Sequence, residues 1–77
     1  MLLGTVSGTP TTTTAVTDIV VTDTDQFNGR IIIFRTATDA GLVRQATDIT
    51  GCNASTNELT FTALTVAPTS GDTILIV

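Results

Sequence analysis

At 77 residues the chain has room for one domain, and a chain this short buries only about 60% of its unfolded surface, so its core is marginal without reinforcement. One cysteine, Cys52, excludes an intrachain disulfide, and the absence of His together with scattered carboxylates argues against a structural zinc site. Seven acidic residues against three arginines give a net charge of −4, a poor platform for neutralising nucleic-acid phosphates.

By elimination, self-association or docking on a partner is the expected source of extra stability. The apolar fraction is 42% and the charged fraction only 13%, with nineteen threonines and no Lys, Tyr or Trp. Threonine is β-branched and lets a strand face water without charge, so the composition reads as β-structure with neutral polar outer faces. Such faces lose little on desolvation when another protein covers them. No apolar run approaches the roughly 18 residues of a membrane span, and Met1-Leu-Leu-Gly4 lacks the length and basic start of a signal peptide. No membrane and no nucleic-acid partner is expected.

Residues 1–12 read as an N-terminal arm, because Gly4, Gly8 and Pro10 interrupt any period among Leu2, Leu3 and Val6. The arm is either a clasp on a neighbouring subunit or a frayed end. A single β domain is expected over residues 13–77. Thr11 to Thr17 gives the first strand, which Asp18 to Thr22 extends or bends. Asp23 resembles an N-cap and Gly29 a stop, predicting one helical turn over Thr24 to Asn28, pinned to the core by Phe27. Arg30 to Phe34 holds four consecutive apolar residues. This pattern predicts a strand buried on both faces, either wholly by this domain or partly by a partner. Leu42 to Thr47 is read as a strand and Thr50 to Asn57 as a turn. Glu58 to Thr62 alternates with Leu59 and Phe61 facing in. Pro68 to Gly71 matches a β-turn, and Thr73 to Val77 a closing apolar strand. The expectation is all-β: a small antiparallel sandwich or barrel of about 5–7 short strands, with at most one short helical turn and an extended N-terminal arm.

Little in this chain carries reactive chemistry. A nucleophilic mechanism needs a base beside Ser, Thr or Cys, and His and Lys are both missing. Cys52 has no cationic neighbour in sequence to lower its pKa. Asp18, Asp23 and Asp25 are close in sequence, but a small β domain offers little interior for the pocket that acid–base work requires. The segment Asp23 to Gly29 fails the EF-hand pattern: Phe27 takes a ligand position and Phe34 stands where the closing Glu belongs. Asp23 and Asp25 leave a weak calcium site as an alternative to a plain turn. Asn53-Ala-Ser55 is a sequon in a segment where Asn and Ser suit a turn. Arg30, Arg35 and Arg44 are expected in cross-strand ion pairs or in pairs with a partner. No catalytic residue, cofactor or metal site is expected.

The stretches Asp25-Gln-Phe-Asn-Gly-Arg-Ile-Ile-Ile-Phe34 and Ala40-Gly-Leu-Val-Arg-Gln-Ala-Thr-Asp-Ile49 resemble a pattern of tailed-bacteriophage virion proteins. Glu58-Leu-Thr-Phe61 and Pro68-Thr-Ser-Gly-Asp-Thr-Ile-Leu-Ile76 fit the pattern's last two elements. The likeness covers roughly residues 23–77. It departs at Phe27, where Tyr is frequent, and at Thr50-Gly51, where a Tyr is often found. The pattern recurs in capsid-decorating, neck and tail-fibre proteins. It therefore implies a structural role in the virion, with the capsid surface as location and the major capsid protein or another virion protein as partner. The length of the chain favours a decoration (cement) protein that staples adjacent capsid subunits over a module of a tail or neck fibre. A ligand- or glycan-binding barrel is the competitor from another class, and the scarcity of aromatics speaks against it. A homo-oligomer, a trimer before other states, is expected. Its partner-interface residues are Leu2, Leu3 and Val6 on the arm and Ile31, Ile33 and Ile76 on the apolar strands.

Overall fold

Short alternating Thr/aliphatic runs become six strands in the computed structural model, which describes residues 2–77. They are β1 (Leu2–Ser7), β2 (Thr14–Thr17), β3 (Ile31–Thr36), β4 (Ala46–Asn53), β5 (Glu58–Phe61) and β6 (Thr73–Ile76). Every pairing is antiparallel, and the order β1-β2-β5-β4-β3-β6 closes on itself as a barrel. Strands β3, β4 and β5 follow one another as hairpins, and β6 returns beside β3, which makes a Greek key. The all-β expectation holds, with six strands and no helix among the described residues.

Two strands turn the corners. β1 pairs with β6 through Leu2–Thr5 and with β2 through Val6–Ser7. β4 pairs with β3 through Ala46–Asp48 and with β5 through Ile49–Asn53. The register of β4 against β5 shifts between Ile49 and Gly51, a bulge that bends the strand from one half of the barrel into the other. The halves are therefore a sheet β1-β6-β3-β4 and a sheet β1-β2-β5-β4.

The expected arm is largely a strand. Residues 2–7 are β1, and only Gly8 to Thr13 form a connection. Gly4 stands at a close approach: a Cβ there would meet the side chain of Ile19 at 2.7 Å. Its lack of a side chain admits Ile19 beneath β1, so it serves packing within a strand rather than interruption of one. The threonine run that follows is turn chemistry, with Thr11 Oγ1 accepting the amides of Thr13 at 3.2 Å and Thr14 at 3.0 Å.

The barrel interior is filled. Val6, Ala15, Ile32, Phe34, Ile49, Leu59, Phe61, Ile74 and Ile76 point inward from the strands. Phe34 and Phe61 meet edge to face, with ring centroids 6.2 Å apart. Ile19, Val21 and Phe27, all from the β2–β3 connection, close the end where β3 begins. Leu42 and Leu64 close the other end. Cross-ties hold these plugs: the amide of Val21 donates to Asn57 Oδ1 at 3.1 Å, and the Leu64 amide to the Thr12 carbonyl at 2.8 Å.

Three local expectations change. The segment Asp23 to Gly29 is a series of tight turns, with Gln26 N–H bonded to the Asp23 carbonyl and Arg30 N–H to that of Phe27; Phe27 is buried as expected. The first half of the Leu42 to Thr47 strand is a loop. Leu42 drops into the core, Arg44 takes a φ of 69°, and β4 starts only at Ala46. Conversely, Thr50 to Asn53 is strand rather than turn, because Gly51 marks the bulge.

Candidate interaction face

Strand parity divides the outer surface into two unlike faces. On the β1-β6-β3-β4 side, Leu3 stands opposite Leu75, Leu75 opposite Ile33, and Ile33 opposite Ala46. Partners in register point to the same side of a sheet, so these residues form one apolar row across all four strands. Ile31 and Val77 extend it toward the end where β3 begins, with the Val77 amide bonded to the Ile31 carbonyl at 2.9 Å. Leu3 remains 63% exposed, Val77 51% and Ile31 39%, while Ile33 and Leu75 are half-buried by their neighbours. The opposite side presents Ser7, Thr14, Val16, Glu58 and Thr60, with Thr14 opposite Thr60 and Val16 opposite Glu58. One side carries the aliphatic row beside a threonine row, Thr5–Thr73–Thr36; the other is polar.

Charge borders the aliphatic row without entering it. At one end Arg30 lies over the Phe27 ring, 5.9 Å from its centroid, and its Nε donates to the Val77 carbonyl at 3.1 Å. Asp48, opposite Ile31, lies at the same end. At the other end Arg35 and Asp18 line a shallow open hollow of about 350 Å³ with Leu3, Gly4, Thr5, Thr73 and Ile74. Asp18 Oδ1 accepts the Thr5 amide at 2.8 Å, holding the chain against β1 as it leaves β2. The hollow reaches the lower volume range of small-molecule sites, about 300 Å³, but it lacks the enclosing walls that such sites use to bury a ligand.

The expected interface residues separate by parity. Leu3, Ile31 and Ile33 lie in the aliphatic face, whereas Leu2, opposite the core residue Ile76, has the inward parity and is 39% exposed where the barrel ends. Val6 and Ile76 do not belong there, since both are buried side chains of the barrel core, 1% and 0% exposed. A slip of one residue moves a strand's side chains from one face to the other, and the outward residues of β6 are Leu75 and Val77. Leu75, Val77 and Ala46 are thus the members that sequence reasoning missed. The alternation Thr73-Ile-Leu-Ile-Val77 contains the parity, but four successive apolar residues conceal which set faces in. Closure also leaves no strand edge among the described residues free to pair with a neighbour, because every strand is paired on both sides.

The remaining candidate groups are occupied locally. Asp23 Oδ1 accepts the Asp25 amide at 2.9 Å, and Asp25 Oδ1 accepts Asn28 Nδ2 at 3.0 Å, so both carboxylates cap turns. Among the described residues no three His, Cys, Asp or Glu side chains converge as metal ligands. Cys52 stands opposite Leu59 and packs against the core as a half-buried thiol. In comparisons with known proteins, no family model, no curated protein and no solved structure matches the chain.

Proposed function

We propose that this chain is a structural protein of a tailed-phage virion, a decoration module that staples neighbouring subunits on the capsid surface. The observation that carries the reading is the in-register row Leu3–Leu75–Ile33–Ala46 on one outer face of a barrel that has no open edge. Exposed aliphatic surface on a small acidic protein carries a solubility cost and is normally retained where something covers it. The resemblance of residues 23–77 to virion β-modules supplies the context, and the polar, Thr-rich remainder suits a surface that stays wet or takes weak, neutral contacts. In this role, binding acts by area and repetition. Each copy contributes a modest contact, and copies repeated by capsid symmetry resist internal pressure through avidity.

The filled interior weighs against the competing ligand-capture reading, since Phe34, Phe61 and the end plugs occupy the space a barrel ligand would need. A tail or neck station uses the same adhesive logic and differs only in the partner. Quantitative mass spectrometry of purified virions whose genome encodes the chain separates these readings. Copy numbers comparable to the major capsid protein support decoration. A handful of copies per particle supports the tail or neck station, and absence from the particle contradicts both.

A further inference from the structure

Resting on the reading of the aliphatic face as an assembly surface, we infer that its first occupant is a second copy of this chain, packed face to face about a twofold axis. Three observations lead there. The first is charge. Two arginines, Arg30 and Arg35, and two aspartates, Asp48 and Asp18, border the face, so its rim is neutral. The net charge of −4 therefore lies elsewhere: −3 on the rest of the surface, from Asp23, Asp25, Asp39 and Glu58 against Arg44, and −1 on the buried Asp72. Two identical acidic molecules repel along every approach except the one that joins their neutral faces. Each end of the face carries one charge of each sign, so neither end has a net charge to repel a second copy.

The second is symmetry. A closed trimer needs two different complementary patches on each subunit, whereas a twofold contact uses one patch twice. The other exposed large aliphatic side chains are Val20 and Val43, which sit singly in the β2–β3 and β3–β4 connections at opposite ends of the barrel, and Leu2, which has the inward parity of its partner Ile76. One patch directs a dimer, in place of the trimer expected from sequence.

The third is area. Four strands about 4.8 Å apart and four to five residues deep at roughly 3.3 Å span on the order of 300 Å² in projection, or about 600 Å² of accessible surface with side-chain relief. Two such faces bury at most about 1,200 Å², the low end for specific association, so the dimer is weak and reversible, and micromolar affinity is the scale on which it is tested.

Sedimentation equilibrium of the full chain from about 10 to 500 μM tests this, the range being set by a micromolar dissociation constant. The expected mass rises from the 8.0 kDa of one chain toward twice that value, with no larger species. Leu3→Asp and Leu75→Asp each hold the chain at monomer mass with an unchanged circular dichroism spectrum, and Thr50→Asp on the polar half leaves the dimer intact. A monomer at 500 μM, a trimer, or a dimer that survives in folded Leu3→Asp overturns the inference. The virion assay fails separately: a monomer found in virions contradicts the dimer alone, and a dimer absent from virions contradicts the virion role alone.

Discussion

Asp72 offers the sharpest test of how the barrel is held together. Its side chain is 3% exposed, yet among the described residues no cation pairs with it. Instead Oδ1 accepts the Thr38 amide at 3.0 Å and the Thr38 hydroxyl at 3.4 Å, and Oδ2 accepts the Thr69 amide at 2.7 Å. Its own carbonyl takes the Val6 amide at 2.8 Å. One residue thus ties the β3–β4 loop, the turn before β6 and strand β1 at a single point. Asp72→Ala removes the carboxylate and leaves the two amides of Thr38 and Thr69 without their acceptor. Hydrogen bonds to a charged group contribute about 1.5–3 kcal/mol each, and the exposure of Thr38 and Thr69 lets water replace part of that. We expect a loss of about 2–4 kcal/mol, large against the roughly 4–11 kcal/mol available to a domain of this size. Thermal melting followed by circular dichroism reads it as a fall of about 10–25 °C. Asp72→Asn, which keeps one acceptor oxygen, falls between the two. A melting temperature within about 3 °C of wild type for Asp72→Ala would refute the clasp.

Three further outcomes follow from the packing. Gly4→Ala places a methyl group 2.7 Å from the Ile19 side chain and should cost about 1–3 kcal/mol in urea denaturation. Adding Ile19→Val should recover part of that loss, and a double variant no better than the sum of the singles would contradict the close approach. Ile76→Ala should cost about 2–4 kcal/mol of monomer stability and Leu75→Ala less than about 1 kcal/mol, measured in dilute solution. The reverse order would place β6 in the wrong register. Arg44→Gly should raise stability by about 0.5–1 kcal/mol, since Arg44 holds a φ of 69° that glycine adopts without strain. A destabilised Arg44→Gly would point to a packing contribution from the arginine side chain.

Much of the architecture was legible because period-2 alternation and turn residues are local signals. Leu59 and Phe61 facing inward, Phe27 pinned to the core and a turn before Thr73 all follow from nearest neighbours. What was hidden depends on tertiary context. A glycine signals a break in sequence, yet Gly4 marks the seat of Ile19, and Gly51 marks the bulge that carries β4 around a corner. Neither use can be told from a turn until the opposing strand is known. Similarly, Leu42-Val-Arg has strand composition, but closing the barrel requires an apolar plug there, and Leu42 leaves the strand path to provide it. The interaction face shows the same limit. Ile31 and Ile33 point outward from β3, whereas Val6 and Ile76 point into the core and lie in Gly-broken or uniformly apolar segments where parity has no local marker. The row Leu3–Leu75–Ile33–Ala46 joins residues more than 70 positions apart and exists only once β6 lies between β1 and β3.

The central claim is that two copies of this barrel meet through one aliphatic outer face. Amide and methyl NMR shifts, followed while the protein is concentrated from about 20 to 800 μM, test it residue by residue across a micromolar equilibrium. Saturating shifts are expected at Leu3, Ile31, Ile33, Leu75 and Val77, with Thr14, Glu58 and Thr60 unmoved. Shifts confined to the Thr-rich side, or none at either face, would contradict it.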